Sequence, residues 1–339
     1  MSDYYSMTPE QQAIHLESLV RKALPHWGYA PESQLTLIKN RENAVFKVED
    51  ESGHFALRVH RENYNTDAAL RSELQWMQAL DQYGVRTPNV IPALDGDLMK
   101  KVAFTEVPGE RQVDVLAWID GEVLGHIGEE VEDVAVLIEQ YRKVGEIAGE
   151  LHNQASNWVP PQDFERRAWD EEGLIGENPI WGKFWELEYL SEQQRELVLA
   201  VRDQARETLK NLEKGNAHYG LVHTDFMPEN LMVESDGTIR VFDFDDAGYS
   251  WYLYEFGAAL FAHYGQPYYG DLKASMVEGY RRSRPLSAEH VDMIQDFVVI
   301  RVLVSLGWLH TRREIEGVDE FTAWLVDLSE GMFTDYLAA

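Results

Sequence analysis

Apolar and polar residues alternate in two different rhythms along the first third of the chain. Residues 8–28 carry apolar side chains three and four positions apart as far as Pro25, which predicts an opening helix. Short apolar runs with alternating side chains then predict strands. These runs are residues 35–38, 44–48, 54–60, 98–104 and 111–116. Between the third and fourth runs, a helical stripe formed by Leu70, Leu74 and Met77 follows the candidate cap Thr66.

Helical spacing dominates the remainder of the chain. It begins near residue 129 and returns in residues 191–213 and throughout residues 250–335. Residues 155–190 differ, because tryptophans stand there between proline, glycine and charged residues, a pattern that predicts a helical insertion. The tryptophans are Trp158, Trp169, Trp181 and Trp185.

A short hairpin is predicted inside this helical part. Residues 231–233 and 238–242 have the composition of strands, and the connection between them contains Asp236-Gly237, a strong hairpin turn signal. If the turn centres on that pair, Asn230 and Asp243 lie opposite each other at the open end of the hairpin. The pattern therefore brings two oxygen-bearing side chains together.

Composition narrows the class of protein. The chain has 339 residues, 45% of them hydrophobic, which is enough for a large core and for two lobes. It has no cysteine, so disulfides and thiolate metal sites are excluded. A formal net charge of -29 disfavours nucleic acid and anionic membrane surfaces as partners. The same charge permits steering of a cationic substrate, although a solubilising acidic surface is the simpler explanation for it.

Two segments bear on the location of the protein. The first seven residues lack the basic and apolar regions of a signal peptide. The most apolar late segment, residues 297–309, is too short to span a bilayer and contains Arg301. We therefore expect a soluble cytoplasmic protein without a membrane partner, and the pattern leaves its oligomeric state open.

Four polar residues have a spacing typical of phosphoryl transfer from ATP. His223, Asp225 and Asn230 form the pattern HxDxxxxN, and Asp243 follows the second strand of the predicted hairpin. In that pattern a carboxylate orients a hydroxyl nucleophile, while an amide oxygen and a later carboxylate bind Mg²⁺. Mg²⁺ accepts few carboxylates and completes its shell with water and phosphate oxygens. The four residues therefore predict a site for a nucleotide phosphate.

This arrangement resembles the catalytic core of the aminoglycoside phosphotransferase family, which belongs to the kinase-like superfamily with choline kinases and type II homoserine kinases. The resemblance implies ATP and Mg²⁺ as cofactors. It implies Asp225 as the catalytic base and His223 as the brace of the catalytic loop. It also implies Asn230 and Asp243 as the Mg²⁺ ligands. Thr224 stands where a eukaryotic protein kinase has arginine, which argues against that class.

The resemblance extends to a cation and two carboxylates elsewhere in the chain. Ala56-Leu57-Arg58 matches the Ala-x-Lys of the third strand, where the cation binds the α and β phosphates; here the cation is arginine. Glu73 matches the helix glutamate that pairs with this cation. Glu255 lies in the place of the family's aromatic-Asp-leucine signature, whose carboxylate braces the catalytic loop, and is longer by one methylene.

Two further segments match parts of a nucleotide site. Residues 40–43, including Asn43, stand where the phosphate-covering loop lies, and they lack the GxGxxG of protein kinases. The backbone amides of residues 41–44 could still cradle a phosphate. Residues 117–121 resemble the hinge between lobes, so Ala117 and Ile119 are expected to offer backbone groups to the adenine.

The resemblance implies a fold and a domain plan. The fold class is α+β, a bilobal protein-kinase-like fold with a small antiparallel-sheet N-lobe and a large, mainly helical C-lobe. The expected N-lobe is residues 1–116 and the expected hinge is residues 117–121. Residues 122–339 are the expected C-lobe, with the catalytic hairpin and the insertion near residues 155–190.

The expected acceptor is a small molecule that carries a hydroxyl and an amine. Asp245 and Asp246, together with acidic residues of the insertion, could receive an ammonium group, which favours amino sugars, amino alcohols or amino acids such as homoserine. The acidic residues of the insertion are Glu171, Glu172, Glu186 and Glu188. Asp245 shares the strand parity of Asp243 and so could instead be a further metal ligand. A bacterial Ser/Thr protein kinase and a non-catalytic nucleotide-binding module remain alternatives.

Overall fold

The computed structural model describes residues 4–40, 43–51, 53–313, 315 and 317–339. The chain divides into two compact units. The first contains Met1–Gly121, Pro160–Glu165 and Glu234–Asp236, and the second contains Glu122–Val159, Arg166–Val233 and Gly237–Ala339. An antiparallel sheet dominates the first unit and helices dominate the second, so the predicted α+β class is confirmed.

The first unit is built on a five-stranded antiparallel sheet. Its strands lie in the order β1-β2-β3-β5-β4. Their bounds are β1 Gln34–Asn40, β2 Ala44–Asp50, β3 Gly53–Val59, β4 Met99–Phe104 and β5 Val107–Ala117. β3 and β5 are direct neighbours, with Arg58 opposite Asp114. The sheet therefore places a cation and a carboxylate from distant parts of the sequence side by side.

The opening helix, α1 (Pro9–Ala23), is shorter than the sequence predicts. Its first turn is closed by a capping box between Thr8 and Gln11. After Ala23 the chain tightens into a 3₁₀ turn, Leu24–Trp27. Pro25 explains the change, because it has no N–H to continue an α-helical ladder. Buried residues of α1 pack in one core cluster with strand residues; Leu19, Val20, Phe46 and Leu57 belong to it.

The second helix, α2 (Asp67–Tyr83), carries the predicted apolar stripe. Thr66 caps it by accepting the N–H of Ala69, as the sequence predicts. The stripe residues Leu70, Leu74 and Met77 are all buried. Glu73 is buried as well, which is costly for a carboxylate without a partner. Its environment is described with the candidate site.

Helices form most of the second unit. They are α3 Val134–Asn157, α4 Glu171–Ile175, α5 Glu192–Lys210, α6 Leu253–Leu260, α7 Tyr269–Ser283, α8 Ala288–Asp292, α9 Ile294–Thr311 and α10 Val318–Ala338. α3 and α7 approach so closely that a Cβ on Gly145 would lie 1.9 Å from the carbonyl oxygen of Met276. Only glycine fits at this contact. Within the described part of the chain, every helix is too short or too polar to cross a membrane.

Short strands hold the functional segment of the second unit. β7 (Tyr219–Val222) pairs with β10 (Gly248–Trp251), and β8 (Leu231–Val233) pairs with both β6 (Glu122–Val123) and β9 (Ile239–Val241). The predicted hairpin is therefore present. Its register differs by one residue: Val233 faces Ile239, so five residues form the connection and Asn230 faces Phe242. Asp243 follows Phe242 at the open end.

Two helical predictions for the second unit were wrong in part. Residues 250–335 are not helical throughout, because Ser250 and Trp251 pair as strand β10 with β7. The insertion near residues 155–190 is mostly irregular beyond the end of α3, with α4 and the 3₁₀ turn Phe184–Glu186 as its helical pieces among the described residues. Of its tryptophans, Trp169 and Trp181 are buried, whereas Trp158 and Trp185 are partly exposed. The tryptophans of this segment are not spaced at helical intervals, so their presence alone did not justify the prediction of helices.

Candidate active site

The catalytic loop begins where β7 ends. Thr224, between the two predicted catalytic residues His223 and Asp225, has a φ of 70°. A β-branched residue rarely adopts this left-handed conformation, which costs of order 1–3 kcal/mol and persists only where its surroundings impose it. Two contacts of Thr224 do so: its hydroxyl donates to the carbonyl of Asp246, and its own carbonyl accepts from Arg301. The strained backbone fixes the direction of the next side chain.

His223 ties this loop to the hairpin. Its Nε2 lies 2.9 Å from the carbonyl oxygen of Phe242, the residue before Asp243. Its ring is fully buried and lies edge-on to Phe226 and Phe244. Burial lowers the pKa of His223, so the ring is neutral. Its Nε2–H donates the hydrogen bond to the carbonyl, which can only accept one. This geometry supports a bracing role over proton transfer.

Asp225 is held by both of its carboxylate oxygens. Arg301 Nη2 donates to Oδ1 over 2.6 Å, and the Asn230 side-chain amide donates to Oδ2 over 2.7 Å. Burial would raise the pKa of Asp225, but the positive charge of Arg301 and the hydrogen bonds from Arg301 and Asn230 together with the neighbouring His223 outweigh it, and the pKa lies below its ordinary value. The side chain keeps 24% of its surface exposed. An ionised, oriented and accessible carboxylate results.

Arg301 is a residue whose contact with Asp225 the sequence does not reveal. It lies on α9, where residues 297–306 are all buried and, apart from Arg301 and Ser305, all apolar; Arg301 is itself 3% exposed. Its guanidinium also lies over the rings of Trp181 and Phe261, at 5.0 Å and 5.4 Å from their centroids. A charge this deep in an apolar helix requires a partner, and Asp225 is that partner. The signal was visible as a lone arginine in an apolar run.

Asn230 and Asp243 offer a pair of hard oxygen donors. The amide nitrogen of Asn230 donates to Asp225, so its carbonyl oxygen is the atom left for a cation. Asp243 has a φ of 66°, which turns the chain sharply after β9. An amide oxygen and a carboxylate fit Mg²⁺, which binds proteins through few side chains and leaves room for phosphate oxygens. The donor set therefore fits the Mg²⁺ that the family resemblance implies.

Glu255, on α6, supports the backbone of the catalytic loop. Its Oε1 accepts the backbone N–H of His223, so the additional methylene still permits this contact. Burial raises the pKa of Glu255 to about 8 and outweighs the hydrogen bonds from the backbone of His223 and Thr224. The side chain is completely buried. At neutral pH the carboxyl is therefore protonated.

Replacing Glu255 with glutamine should change how stability depends on pH. The pKa rises from 4.5 in the unfolded chain to about 8 in the folded one. Unfolding releases this proton between those values, so the contribution of Glu255 to stability falls as pH rises and levels off above pH 8. Glutamine keeps the accepting oxygen without titrating. Urea denaturation of both proteins between pH 5 and 9 should show a stability difference that grows in favour of glutamine up to about pH 8; a constant difference would contradict the protonated state.

The two aspartates expected to receive an ammonium group already have partners. Asp246 Oδ1 lies 3.6 Å from Arg167 Nη1 and accepts from Trp181 Nε1 over 3.3 Å. Asp245 is 5% exposed, and its backbone carbonyl accepts from Arg166. These contacts attach the loop after β9 to the segments on both sides of α4. They argue against an open acidic patch here, and the substrate role of both residues stays a prediction.

The acidic residues of the insertion also have partners. Glu171 pairs with Arg206 at 3.4 Å, and Glu188 pairs with Arg313 at 3.4 Å. Glu172 accepts two backbone N–H groups, those of residues 177 and 178. Glu186 lies 3.9 Å from both Lys183 and His310. The exposed pairs contribute little energy, so they do not prevent binding of a cationic ligand.

The predicted phosphate-binding cation lies in the first unit. Arg58 is 5% exposed, and its Nη1 donates to Glu73 Oε1 over 2.9 Å. Its other edge faces Asp114, on the neighbouring strand β5, and His60 contacts the same carboxylate. The sequence argument named Glu73 and overlooked Asp114 and His60. Alternation along β5 could have suggested Asp114, since a carboxylate in an apolar strand calls for a partner.

The remaining residues predicted for the nucleotide are partly engaged within the first unit. Asn43 is 7% exposed, and its side-chain oxygen accepts the N–H of Arg61. Arg41 and Glu42, the centre of the predicted phosphate-covering loop, lie outside the described residues. Ala117 donates its N–H to the carbonyl of Asn89, so an adenine contact there would not use that donor. Ile119 follows β5 and is half-buried.

Comparisons with known proteins show the family and the fold. A model described as the phosphotransferase enzyme family matches residues 34–289. Amicoumacin kinase of Bacillus subtilis (strain 168) is 23% identical over 332 residues, which are 91% of this chain and 89% of the relative. The structure of the microcompartment-associated aminopropanol kinase is 30% identical with a TM-score of 0.81, covering 94% of this chain and 97% of that one. Amicoumacin kinase in complex with AMP-PNP, Ca²⁺ and Ami has the same fold at 22% identity, with a TM-score of 0.76 over 97% and 96% of the two chains.

The fold and the family model together define a kinase-like phosphotransferase. The chain belongs to the phosphotransferase enzyme family, as the sequence motif predicts. It is a kinase of small molecules that transfers a phosphoryl group to a hydroxyl group.

Proposed function

We propose that this enzyme transfers the γ-phosphate of ATP to the hydroxyl of an amine-bearing small molecule, with Asp225 as the group that orients this hydroxyl. One observation carries the assignment: Asp225 is held from two sides, by Arg301 and Asn230, and remains partly exposed. A carboxylate restrained in this way can accept a hydrogen bond from an acceptor hydroxyl in one direction only. Positioning of this kind supplies much of the rate in phosphoryl transfer.

The lowered pKa of Asp225 defines how it works. A weakly basic carboxylate accepts the hydroxyl proton late, so its main contribution is orientation of the nucleophile. Asn230 and Asp243 would hold Mg²⁺, which when bound neutralises the charge that develops on the phosphate oxygens. His223 and Glu255 keep the loop and the hairpin in register. Arg58, paired with Glu73, would bind the nucleotide phosphates.

Replacing Asp243 with alanine should weaken Mg²⁺-dependent ATP binding more than Asp225→Asn does. The alanine variant loses a charged ligand of the ion, whereas asparagine at position 225 leaves both proposed ligands in place. Calorimetric titration with and without Mg²⁺ measures the difference. Asp236→Ala, an exposed aspartate in the connection of the same hairpin, is the matched control and should bind like the wild type. Equal losses for Asp243→Ala and Asp225→Asn would contradict the metal assignment.

Two considerations support an amine on the acceptor. The net charge of -29 favours the approach of cations and disfavours nucleic acid as a partner. A relative at 30% identity acts, by its name, on aminopropanol, an amino alcohol. The contacts of Asp246 with Arg167 and Trp181 argue against a dedicated ammonium site on that carboxylate alone. We therefore propose that the acceptor carries an amine, without assigning its ammonium group to one of these carboxylates.

A screen of acceptors tests this proposal. Purified enzyme with Mg²⁺ and ATP is offered amino alcohols, hydroxylated amino acids, aminoglycosides and their deaminated analogues, and ADP release is recorded. We expect stimulation by a small amino alcohol or amino sugar, loss of stimulation with the deaminated analogue, and no stimulation of the Asp225→Asn variant. Stimulation of ADP release by neutral analogues alone would contradict the proposal that the acceptor carries an amine. Phosphorylation of protein substrates without a metabolite response would favour a protein kinase.

A further inference from the structure

Four ionisable side chains meet on one face of the sheet in the first unit. They are Arg58, His60, Glu73 and Asp114, and every one of them is at most 5% exposed. Arg58 and Asp114 are directly opposite each other on β3 and β5. Buried charges are costly unless they are paired and hydrogen-bonded with good geometry. The cluster therefore has a tightly specified arrangement.

Arg58 and Asp114 make a two-point contact. Nε donates to Oδ1 and Nη2 donates to Oδ2, both over 2.8 Å. Such parallel bonds fix the guanidinium plane as well as its position. His60 Nε2 lies 2.7 Å from the same Oδ2 and so restrains the carboxylate from another direction. Burial would raise the pKa of Asp114, but the charges of Arg58 and His60 lower it to about 2, which keeps the carboxylate ionised.

Glu73 engages a different part of the same guanidinium. Its Oε1 accepts from Nη1 of Arg58, while Nε and Nη2 face Asp114. A lysine at position 58 could not reproduce this arrangement, because an ammonium group is a point charge on a flexible stem without a fork. One of the two carboxylates would then lose much of its compensation. The presence of Asp114 thus accounts for arginine at this position.

We propose that Asp114 is a positioning residue for nucleotide binding, because its cross-strand contact sets the plane in which Arg58 presents its charge to the phosphates. The inference rests on the proposed function of Arg58 in the nucleotide site. Asp114 itself does not touch the nucleotide. Arg58 and Asp114 form one functional unit. Neither Arg58→Lys nor Asp114→Asn is therefore a conservative substitution while the other residue stays unchanged.

The first test is Asp114→Asn, measured by calorimetry with Mg²⁺-ATP and by steady-state kinetics. Loss of two charge-assisted hydrogen bonds should raise the dissociation constant and the KM for ATP by about tenfold or more, with a smaller change in kcat. Asp67→Asn is the matched control: it alters a carboxylate that accepts from Gln112 on the same strand and should leave ATP binding unchanged. Should Asp114→Asn fail to fold, Asp114→Glu keeps the charge, displaces the carboxylate and should also raise the dissociation constant.

The second test is a double-mutant cycle that combines Asp114→Asn with Arg58→Lys. Asparagine at position 114 removes the charge that a lysine at position 58 cannot match, so the double variant should bind ATP more tightly than Arg58→Lys alone. Thermal denaturation of the nucleotide-free proteins should show the same non-additivity. Wild-type ATP affinity in a folded Asp114→Asn variant, or strict additivity in both measurements, would overturn the inference. A wild-type protein that binds no Mg²⁺-ATP would overturn the proposed function, and this inference with it.

Discussion

Replacing Asp225 with asparagine should lower kcat by about 10²–10⁴-fold, the range associated with loss of a group that accepts a proton from the nucleophile. Asparagine preserves the shape of the side chain and can still accept from Arg301. It cannot take the proton of the acceptor hydroxyl. Because both proposed metal ligands, Asn230 and Asp243, are unchanged, Mg²⁺-ATP binding should persist within a small factor.

Rapid-quench measurement of a single turnover, combined with calorimetry, separates these two effects. The single-turnover rate should fall with kcat, which shows that the phosphoryl transfer step and not product release is affected. A melting temperature close to that of the wild type would show that the loop is intact. Near-normal turnover in this variant would contradict the assignment of Asp225.

The local part of the site could be predicted from the sequence. His223, Asp225 and Asn230 lie within eight residues, and Asp243 follows a hairpin whose turn signal is visible. Residues this close in the sequence, or joined by a short hairpin, must also lie close together in space, so the motif predicts their arrangement. The predicted hairpin register was off by one, because the connection is residues 234–238 and its turn therefore does not centre on Asp236-Gly237.

The long-range part of the site could not be predicted. Arg301 reaches Asp225 across 76 positions of sequence, and Asp114 reaches Arg58 across 56. No spacing rule links such residues, since only the packing of α9 and the pairing of β3 with β5 bring them together. What the sequence does show is an anomaly: a charged residue inside an apolar helix or strand. Such anomalies identify residues that need partners without naming the partners.

The acidic residues are a case where the sequence shows a charge without its surroundings, and their substrate role stays a prediction. Asp246 and Glu171 were interpreted as receivers of an ammonium group from the substrate, because the sequence shows their charge and hides their neighbours. In the structure Arg167 and Arg206 lie beside them. The chain has 59 aspartates and glutamates, so the position of an individual carboxylate says little about function. The thirty lysines and arginines are the scarcer and more informative charges.

Replacing Arg301 with methionine should have the largest combined effect on stability and activity. The substitution leaves Asp225 without its cationic partner, and breaking a buried ion pair costs about 3–5 kcal/mol. The partial exposure of Asp225 places the expected loss near the lower end of that range. The carboxylate also loses one of its two restraints, and misplacement of a catalytic group lowers kcat by about 10²-fold. Urea denaturation and steady-state kinetics measure the two effects.

A matched control and a double variant make the Arg301 experiment specific. Arg312→Met removes another buried guanidinium that lies over the same ring, that of Trp181, at 5.9 Å. It should lower stability while kcat stays near that of the wild type. In the double variant Arg301→Met with Asp225→Asn, position 225 carries no charge to be compensated. The loss of stability should therefore be smaller than the sum of the two single losses, by about 0.5–3 kcal/mol. Additive losses would show that Arg301 contributes through its other contacts, those with the aromatic rings and the Thr224 carbonyl, and does not hold the carboxylate.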